Sequence, residues 1–270
     1  MQISYSGTTP VFRSTLMILL FIFFYGWIQP TSSSAQVIVG AERTGQYLAE
    51  LKGKNIALVV NQTSLIGKKH LADTLLALGI HIKKIFAPEH GFRGDADAGE
   101  DISTATDAKT NLPVISIYGK QLKPTPENLS GIDLVIYDIQ DVGVRFYTYV
   151  STLHYVMEAC AENNVPLLVL DRPNPNGYYV DGPVMEPQFS SFIGMDPVPV
   201  VYGMTPAEYA QMLNGERWLN GQITCNLKYV LCEGYDHKTF YSLPVNPSPN
   251  LRSMTAIHLY PSICFLEGTP

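Results

Sequence analysis

With 270 residues, 46% of them hydrophobic, the chain can bury at least one sizeable core, which excludes intrinsic disorder as its main state. Its 18 Lys and Arg stand against 24 Asp and Glu, a formal charge of -6, with no basic block, so the electrostatic footprint of a nucleic-acid binder is absent. The 16 Tyr supply hydrogen-bonding rings that suit a polar ligand with an apolar face, such as a sugar, as well as the rim of a core.

The first predicted element is an export signal, residues 1–35. Arg13 precedes an uninterrupted apolar run from Leu16 to Ile28, followed by Gln29-Pro30-Thr31-Ser32-Ser33-Ser34-Ala35. As a helix that run reaches only about 20 Å, short of the roughly 30 Å core of a bilayer. Ser33 and Ala35 give the small-x-small pattern of a cleavage site, which predicts a mature chain starting at Gln36. No Cys follows the run where a lipid anchor would need one. The expectation is a periplasmic or secreted protein with no stable membrane span once the signal is removed.

Five short β-branched runs then lead into polar loops: Ile56 to Val60, Ile82 to Phe86, Val114 to Ile117, Leu134 to Tyr137 and Leu167 to Leu170. Helical patterns alternate with them at His70 to Leu78, Tyr147 to Glu162 and Pro206 to Leu213, the last opened by a Thr205 cap with Pro at its first position. Such alternation predicts an α/β fold, a Rossmann-like open and mostly parallel sheet with helices on both faces. In such sheets ligands bind beyond the carboxyl ends of the strands. Asn61, Glu89, His90, Tyr118, Asp138, Asp141, Asp171, Arg172 and Asn174 all collect there, although about half of such residues merely cap helices or hold turns. The Pro- and Gly-rich stretch from Asn174 to Pro199 reads as a structured excursion forming one wall of the cleft, and Pro244 to Asn250 as a second rigid loop.

Cys160, Cys225, Cys232 and Cys264 are scattered rather than spaced as metal ligands, so no metal is expected. Cys225 and Cys232 are close enough to pair across a hairpin in an oxidising compartment. Cys160 continues the helical stripe Val150, Leu153, Met157 and reads as a buried small hydrophobe.

Dinucleotide, P-loop, zincin and nucleophile-elbow motifs are missing. What stands out is Pro88-Glu89-His90-Gly91-Phe92-Arg93-Gly94, a carboxylate set between a rigid residue and glycines with a base and a guanidinium beside it. Glu89 at a strand end suits a general acid. Glycoside hydrolysis usually needs a second carboxylate, for which Asp138, Asp141 and Glu186 are candidates that sequence spacing does not rank.

Seven ordered motifs resemble one family. They are Asn61-Gln62-Thr63, Ala87 to Gly94, Tyr137 to Tyr149, Leu170 to Pro175, Gly182 to Pro187, Tyr202-Gly203-Met204-Thr205 and Pro247-Ser248-Pro249-Asn250. Together they are similar to the NamZ-type exo-β-N-acetylmuramidases, glycoside hydrolases formerly grouped as a domain of unknown function. The resemblance implies release of N-acetylmuramic acid from the non-reducing ends of peptidoglycan fragments in cell-wall turnover, without a cofactor. It places Glu89 at the catalytic acid. It sets Asn61, His90, Arg93, Asp138, Gln140, Asp141, Arg145, Tyr147, Arg172, Asn174 and Glu186 around the same cleft. One of Arg93, Arg145 and Arg172 would hold the lactyl carboxylate of muramic acid, and at least one of the three is expected to make a structural salt bridge. The family continues into a second, smaller α/β domain. Residues 36–262 would thus be the Rossmann-like catalytic domain and residues 263–270 the start of a truncated second one. Two other readings compete: a periplasmic muropeptide-binding module without chemistry, and a metal-assisted hydrolase built on His90, Asp138 and Asp141.

Overall fold

A computed structural model describes residues 1–3, 36–94 and 105–268, so nearly all of the expected export signal lies outside the described residues. Two compact units divide between Gln36 and Val37, and the architecture below is that of the second.

A seven-stranded sheet runs through it in the order β5-β6-β4-β1-β7-β8-β9. Its centre is β1 (Ile56–Val60), parallel to β4 (Ile82–Ala87) on one side and β7 (Leu134–Asp138) on the other. Outward lie β6 (Pro113–Ser116), then β8 (Leu167–Leu170) and β9 (Leu227–Val230), all parallel. Only β5 (Ala105–Thr106), at one edge, is antiparallel. A separate small hairpin pairs β2 (Leu65–Ile66) with β3 (Lys69–His70).

The sequence Ile-Ala-Leu-Val-Val of β1 is apolar at every position because both faces of the sheet are covered. Alternate residues enter two separate hydrophobic clusters: Ala57, Val59, Val135, Tyr137 and Val169 in one, Ile56, Leu58, Leu134, Ile136 and Leu168 in the other. The second cluster takes in Leu51 of α1 (Leu48–Leu51) and the apolar face of α2 (Leu71–Ala77). The first takes in Leu129 of α3 (Pro126–Leu129) and the buried faces of α4 (Tyr149–Glu162), α5 (Pro206–Gly215) and α6 (Met254–Ile263). Helices therefore flank both faces, as the alternation predicts. The stripe Val150, Leu153, Met157, Cys160 is buried along α4, and Thr205 caps α5 in a reciprocal box with Glu208.

All four cysteines are free thiols. The hairpin expected between Cys225 and Cys232 does not form, because β9 runs extended between them and sets them about 15–20 Å apart, far beyond disulfide reach. Cys225 meets Cys160 instead, and that hydrogen bond, together with burial, pushes the Cys160 thiol well above its ordinary pKa. Among the described residues no helix is long and apolar enough to cross a membrane.

Candidate active site

Where β4 ends, the chain makes a tight turn in which the Gly91 N–H donates to the Pro88 carbonyl at 3.0 Å. His90 stands third in that turn with φ +67°, a left-handed conformation that normally falls to Gly or Asn, and Gly91 follows at +78°. A buried His held there costs on the order of 1–3 kcal/mol, the kind of backbone strain that gathers at functional sites. The turn presents Glu89, half-buried, at the sheet's carboxyl rim.

Both oxygens of Glu89 are gripped. Tyr118, just past β6, donates its hydroxyl to Oε1 at 2.9 Å, and Thr148 donates Oγ1–H to Oε2 at 2.8 Å. Thr148 occupies the N-cap of α4 without capping it through its side chain; its hydroxyl serves the carboxylate. Burial and the neighbouring Glu89 push the Tyr118 hydroxyl up to about 12, so it keeps its proton as a donor across the neutral range.

Glu89, His90 and Tyr118 open onto a cleft of about 410 Å³, a size typical of small-molecule sites. Its floor is the strip Phe146-Tyr147-Thr148, and Ser248, Asn250 and Leu251 of the second rigid loop line it further. The excursion contributes Phe192 and Ile193, with the Phe192 ring 6.1 Å from Tyr118 and stacked at 6.2 Å on Tyr155. Tyr260 of α6 and Glu267 just beyond it complete the lining. The mixture of aromatic rings and hydroxyls can hold a pyranose by its faces and edges at once.

Of the residues expected around this cleft, Glu89, His90, Tyr118 and Tyr147 line it. Another group forms a buried polar layer at the same rim. The strand order reverses between β1 and β7, the usual ligand crevice of such sheets. Here the protein fills it with its own hydrogen bonds. Ser64 donates to the Asp138 carbonyl, and the Gln140 N–H donates to Thr63 Oγ1 at 3.0 Å, while Asn61 Oδ1 accepts from the Thr63 N–H at 2.9 Å. The Gln140 amide donates to the carbonyls of Asp141 at 2.8 Å and Pro173 at 2.7 Å, and Asn174 donates to Met204 O at 2.8 Å. Asp141 accepts from Tyr202 and from the Gly143 N–H, and burial pushes its carboxyl up to about 6.

Asp138, expected as a second catalytic carboxylate, has a different job. It is fully buried and forked by Arg172, with Nε to Oδ1 at 2.5 Å and a terminal nitrogen to Oδ2 at 2.9 Å, and it does not line the cleft. Complete burial raises its carboxyl although Arg172 opposes the rise. A strand-end Asp reads alike in sequence whether it faces solvent or an arginine.

Arg172 thus makes a structural salt bridge of the kind expected of at least one of the three arginines. Arg93 is a second, forked onto Asp107 at 3.2 and 3.0 Å, lying over the Phe92 ring and lining a different surface hollow. Arg145 donates to the carbonyls of Pro183 and Val198, and its buried Nε has no hydrogen-bond partner among the described residues. Glu186 is exposed, bonded by Gln188, and away from the cleft. The metal reading required His90, Asp138 and Asp141 to converge, and among the described residues no three His, Cys, Asp or Glu do so.

The sequence did not single out the remaining lining residues, among them Thr148, Phe192, Ser248, Tyr260 and Glu267. Thr148 and Ser248 lay inside quoted motifs, but nothing in hydroxyl spacing tells a carboxylate clamp from an ordinary cap.

Residues 56–255 match the family described as exo-β-N-acetylmuramidase NamZ, N-terminal. The peptidoglycan β-N-acetylmuramidase NamZ of Bacillus subtilis (strain 168) is 42% identical over 230 residues, 83% of this chain and 55% of that protein. The chain thus spans about half the length of that curated relative. Two DUF1343 family proteins of Bacteroides fragilis NCTC 9343, known from crystal structures, are similar in fold and sequence. One has a TM-score of 0.80 at 48% identity, covering 87% of this chain and 63% of its own. The other has 0.79 at 38%, covering 86% and 60%.

Proposed function

The chain belongs to the family of the N-terminal region of the exo-β-N-acetylmuramidase NamZ, and we propose that it removes N-acetylmuramic acid from the non-reducing ends of peptidoglycan fragments during cell-wall turnover. The observation that carries this reading is the Glu89 carboxylate, held by two hydroxyls at the head of an aromatic cleft. As the general acid it gives a proton to the leaving glycosidic oxygen, a contribution worth about 100- to 10,000-fold in rate.

N-acetylmuramic acid differs from N-acetylglucosamine by a lactyl carboxylate, for which a guanidinium is the natural partner. With Arg93 and Arg172 committed to Asp107 and Asp138, Arg145 is the expected arginine that meets no carboxylate among the described residues. It lies over Phe146 at 5.5 Å, beside the cleft floor, and we assign the lactyl group to it. Export through residues 1–35 would bring the enzyme to its substrate, and N-terminal sequencing of the exported form should find Gln36 first.

The test is chromophore release from an aryl β-N-acetylmuramide and from the matching β-N-acetylglucosaminide, by the chain from Gln36 and by the longest polypeptide its gene encodes. Selective release from the muramide is expected, lost in Glu89→Gln. Arg145→Met should raise KM for the muramide about tenfold or more and, by freeing the carbonyls of Pro183 and Val198, lower the melting temperature as well, so Arg145→Lys is measured beside it. A Glu89→Gln variant as fast as the parent would end the reading. Saturable muropeptide binding with no sugar released by either form would favour a binding module.

A further inference from the structure

Glu89 is not the only carboxylate on the cleft. Glu267 lines it as well, from the short turn Cys264–Gly268 that follows α6. The Tyr260 hydroxyl donates to Glu267 Oε2 at 3.0 Å, and burial together with that carboxylate keeps the phenol protonated well beyond its ordinary pKa.

The turn is tied to the strip that also serves Glu89. Phe265 packs edge-on against Phe146 with ring centres 5.2 Å apart, and Tyr260 packs edge-on against Tyr147 at 6.1 Å. Thr148, the next residue, holds Glu89. The strip Phe146-Tyr147-Thr148 therefore bonds one carboxylate through Thr148 and packs, through Phe146 and Tyr147, on the turn and the tyrosine that hold the other. Each has a tyrosine hydroxyl on one oxygen. Asp138 is sealed against Arg172 and Glu186 lies outside the cleft lining, so neither shares this arrangement.

We propose that Glu267 is the second catalytic carboxylate, the base that activates the attacking water while Glu89 acts as the acid. The assignment rests on the hydrolase reading above and adds the group that reading lacks. As the C1–O bond breaks, its electron pair leaves with the glycosidic oxygen, which takes a proton from Glu89. The water oxygen bonds to C1 from the opposite face, and its proton passes to Glu267. One water is consumed, and solvent restores both carboxyl groups. Carboxylates placed to admit a water, roughly 6.5–9.5 Å apart in known enzymes, invert the anomeric centre.

Steady-state kinetics, product NMR and thermal melting of Glu267→Gln, Glu267→Ala and Tyr260→Phe test the assignment. Glu267→Gln should lose about 100-fold or more in kcat with KM changed less than about threefold and an unchanged melting temperature. Azide should restore turnover to Glu267→Ala, giving the α-glycosyl azide, and the parent should release the α-anomer of the sugar first. Tyr260→Phe, which keeps the carboxylate and loses only its anchor, should fall about tenfold or less. If Glu267 merely holds Tyr260, the Gln and Phe variants will lose stability and activity alike, and azide will rescue nothing. An active parent with Glu267→Gln near full kcat, or with the β-anomer released first, overturns this assignment and leaves the hydrolase reading standing. A parent that cleaves no muramide overturns both.

Discussion

Glu89 and Asp138 are both acids at strand ends, and their neighbours send them to opposite fates. Glu89 meets two neutral hydroxyls and a cleft, whereas Asp138 meets a guanidinium in the dry interior. If the two hydroxyls aim the acid, Tyr118→Phe and Thr148→Val should each lower kcat about tenfold, the worth of one hydrogen bond to a charged or reacting group, with little change in KM. The Phe192 contact survives the first substitution, so steady-state kinetics isolates the hydroxyl. The opposite pattern belongs to Asp138. Arg172→Met alone leaves a buried carboxylate unpaired and should cost about 3–5 kcal/mol in urea unfolding, whereas the double variant Asp138→Leu with Arg172→Met should recover most of that loss. Glu89 was legible because its turn carries the chemistry within a few residues. The fate of Asp138 was not, since its partner lies 34 residues further on and only the β7–β8 pairing brings them together.

At the scale of elements, β1, β7 and β8 are buried throughout and announce themselves as apolar runs, and β4 and β6, though partly exposed, keep enough β-branched and aromatic residues that all five are readable within a residue or so. β9 was not, because this edge strand shows Lys228 and Tyr229 to solvent and has no apolar run to detect. The excursion was foreseen as a wall, yet which of its residues face the ligand is set by the Phe192 stack and not by any period. Helix ends show a finer mismatch. α4 and α5 both close with the same motif: the Val165 N–H donates to Cys160 O at 2.9 Å, and the Trp218 N–H donates to Leu213 O at 3.0 Å. The left-handed position is Asn164 in one, a residue that tolerates it, and exposed Arg217 with φ +55° in the other. Arg217→Gly should therefore stabilise the protein by about 0.5–1 kcal/mol, a rise of roughly 2 °C in Tm by calorimetry, while Asn164→Gly should gain less.

At the scale of the whole molecule, a buried histidine on α4 helps to fasten the wall of the cleft to the sheet layer. His154 of α4 faces Asp196 of the excursion at 2.9 Å and Glu158 of its own helix at 3.2 Å. Tyr209 of α5 donates to Asp196, and Lys123 and the Asn220 N–H reach Glu158. Burial opposes the charge on His154, but the hydrogen bonds and charges of Asp196 and Glu158 prevail and raise it from 6.5 to about 9. Because the folded value exceeds the unfolded one, the stabilisation, on the order of 3 kcal/mol, is fully present below about pH 6.5 and lost as pH rises through about 9. Glu158, drawn down to about 2 by His154 and Lys123 despite burial, works at the other end, its contribution present above 4.5 and lost as pH falls through about 2. Urea unfolding between pH 6 and 10 should thus show the parent weakening toward the alkaline end. His154→Gln should be less stable at pH 6, with a difference from the parent that shrinks as pH passes about 9. Since Phe192 and Ile193 lie just ahead of Asp196 on the same excursion, muramide turnover should fall over the same alkaline range in the parent. A difference that stays constant from pH 6 to 10 would mean that His154 fastens the wall as a neutral ring, by packing and hydrogen bonds alone.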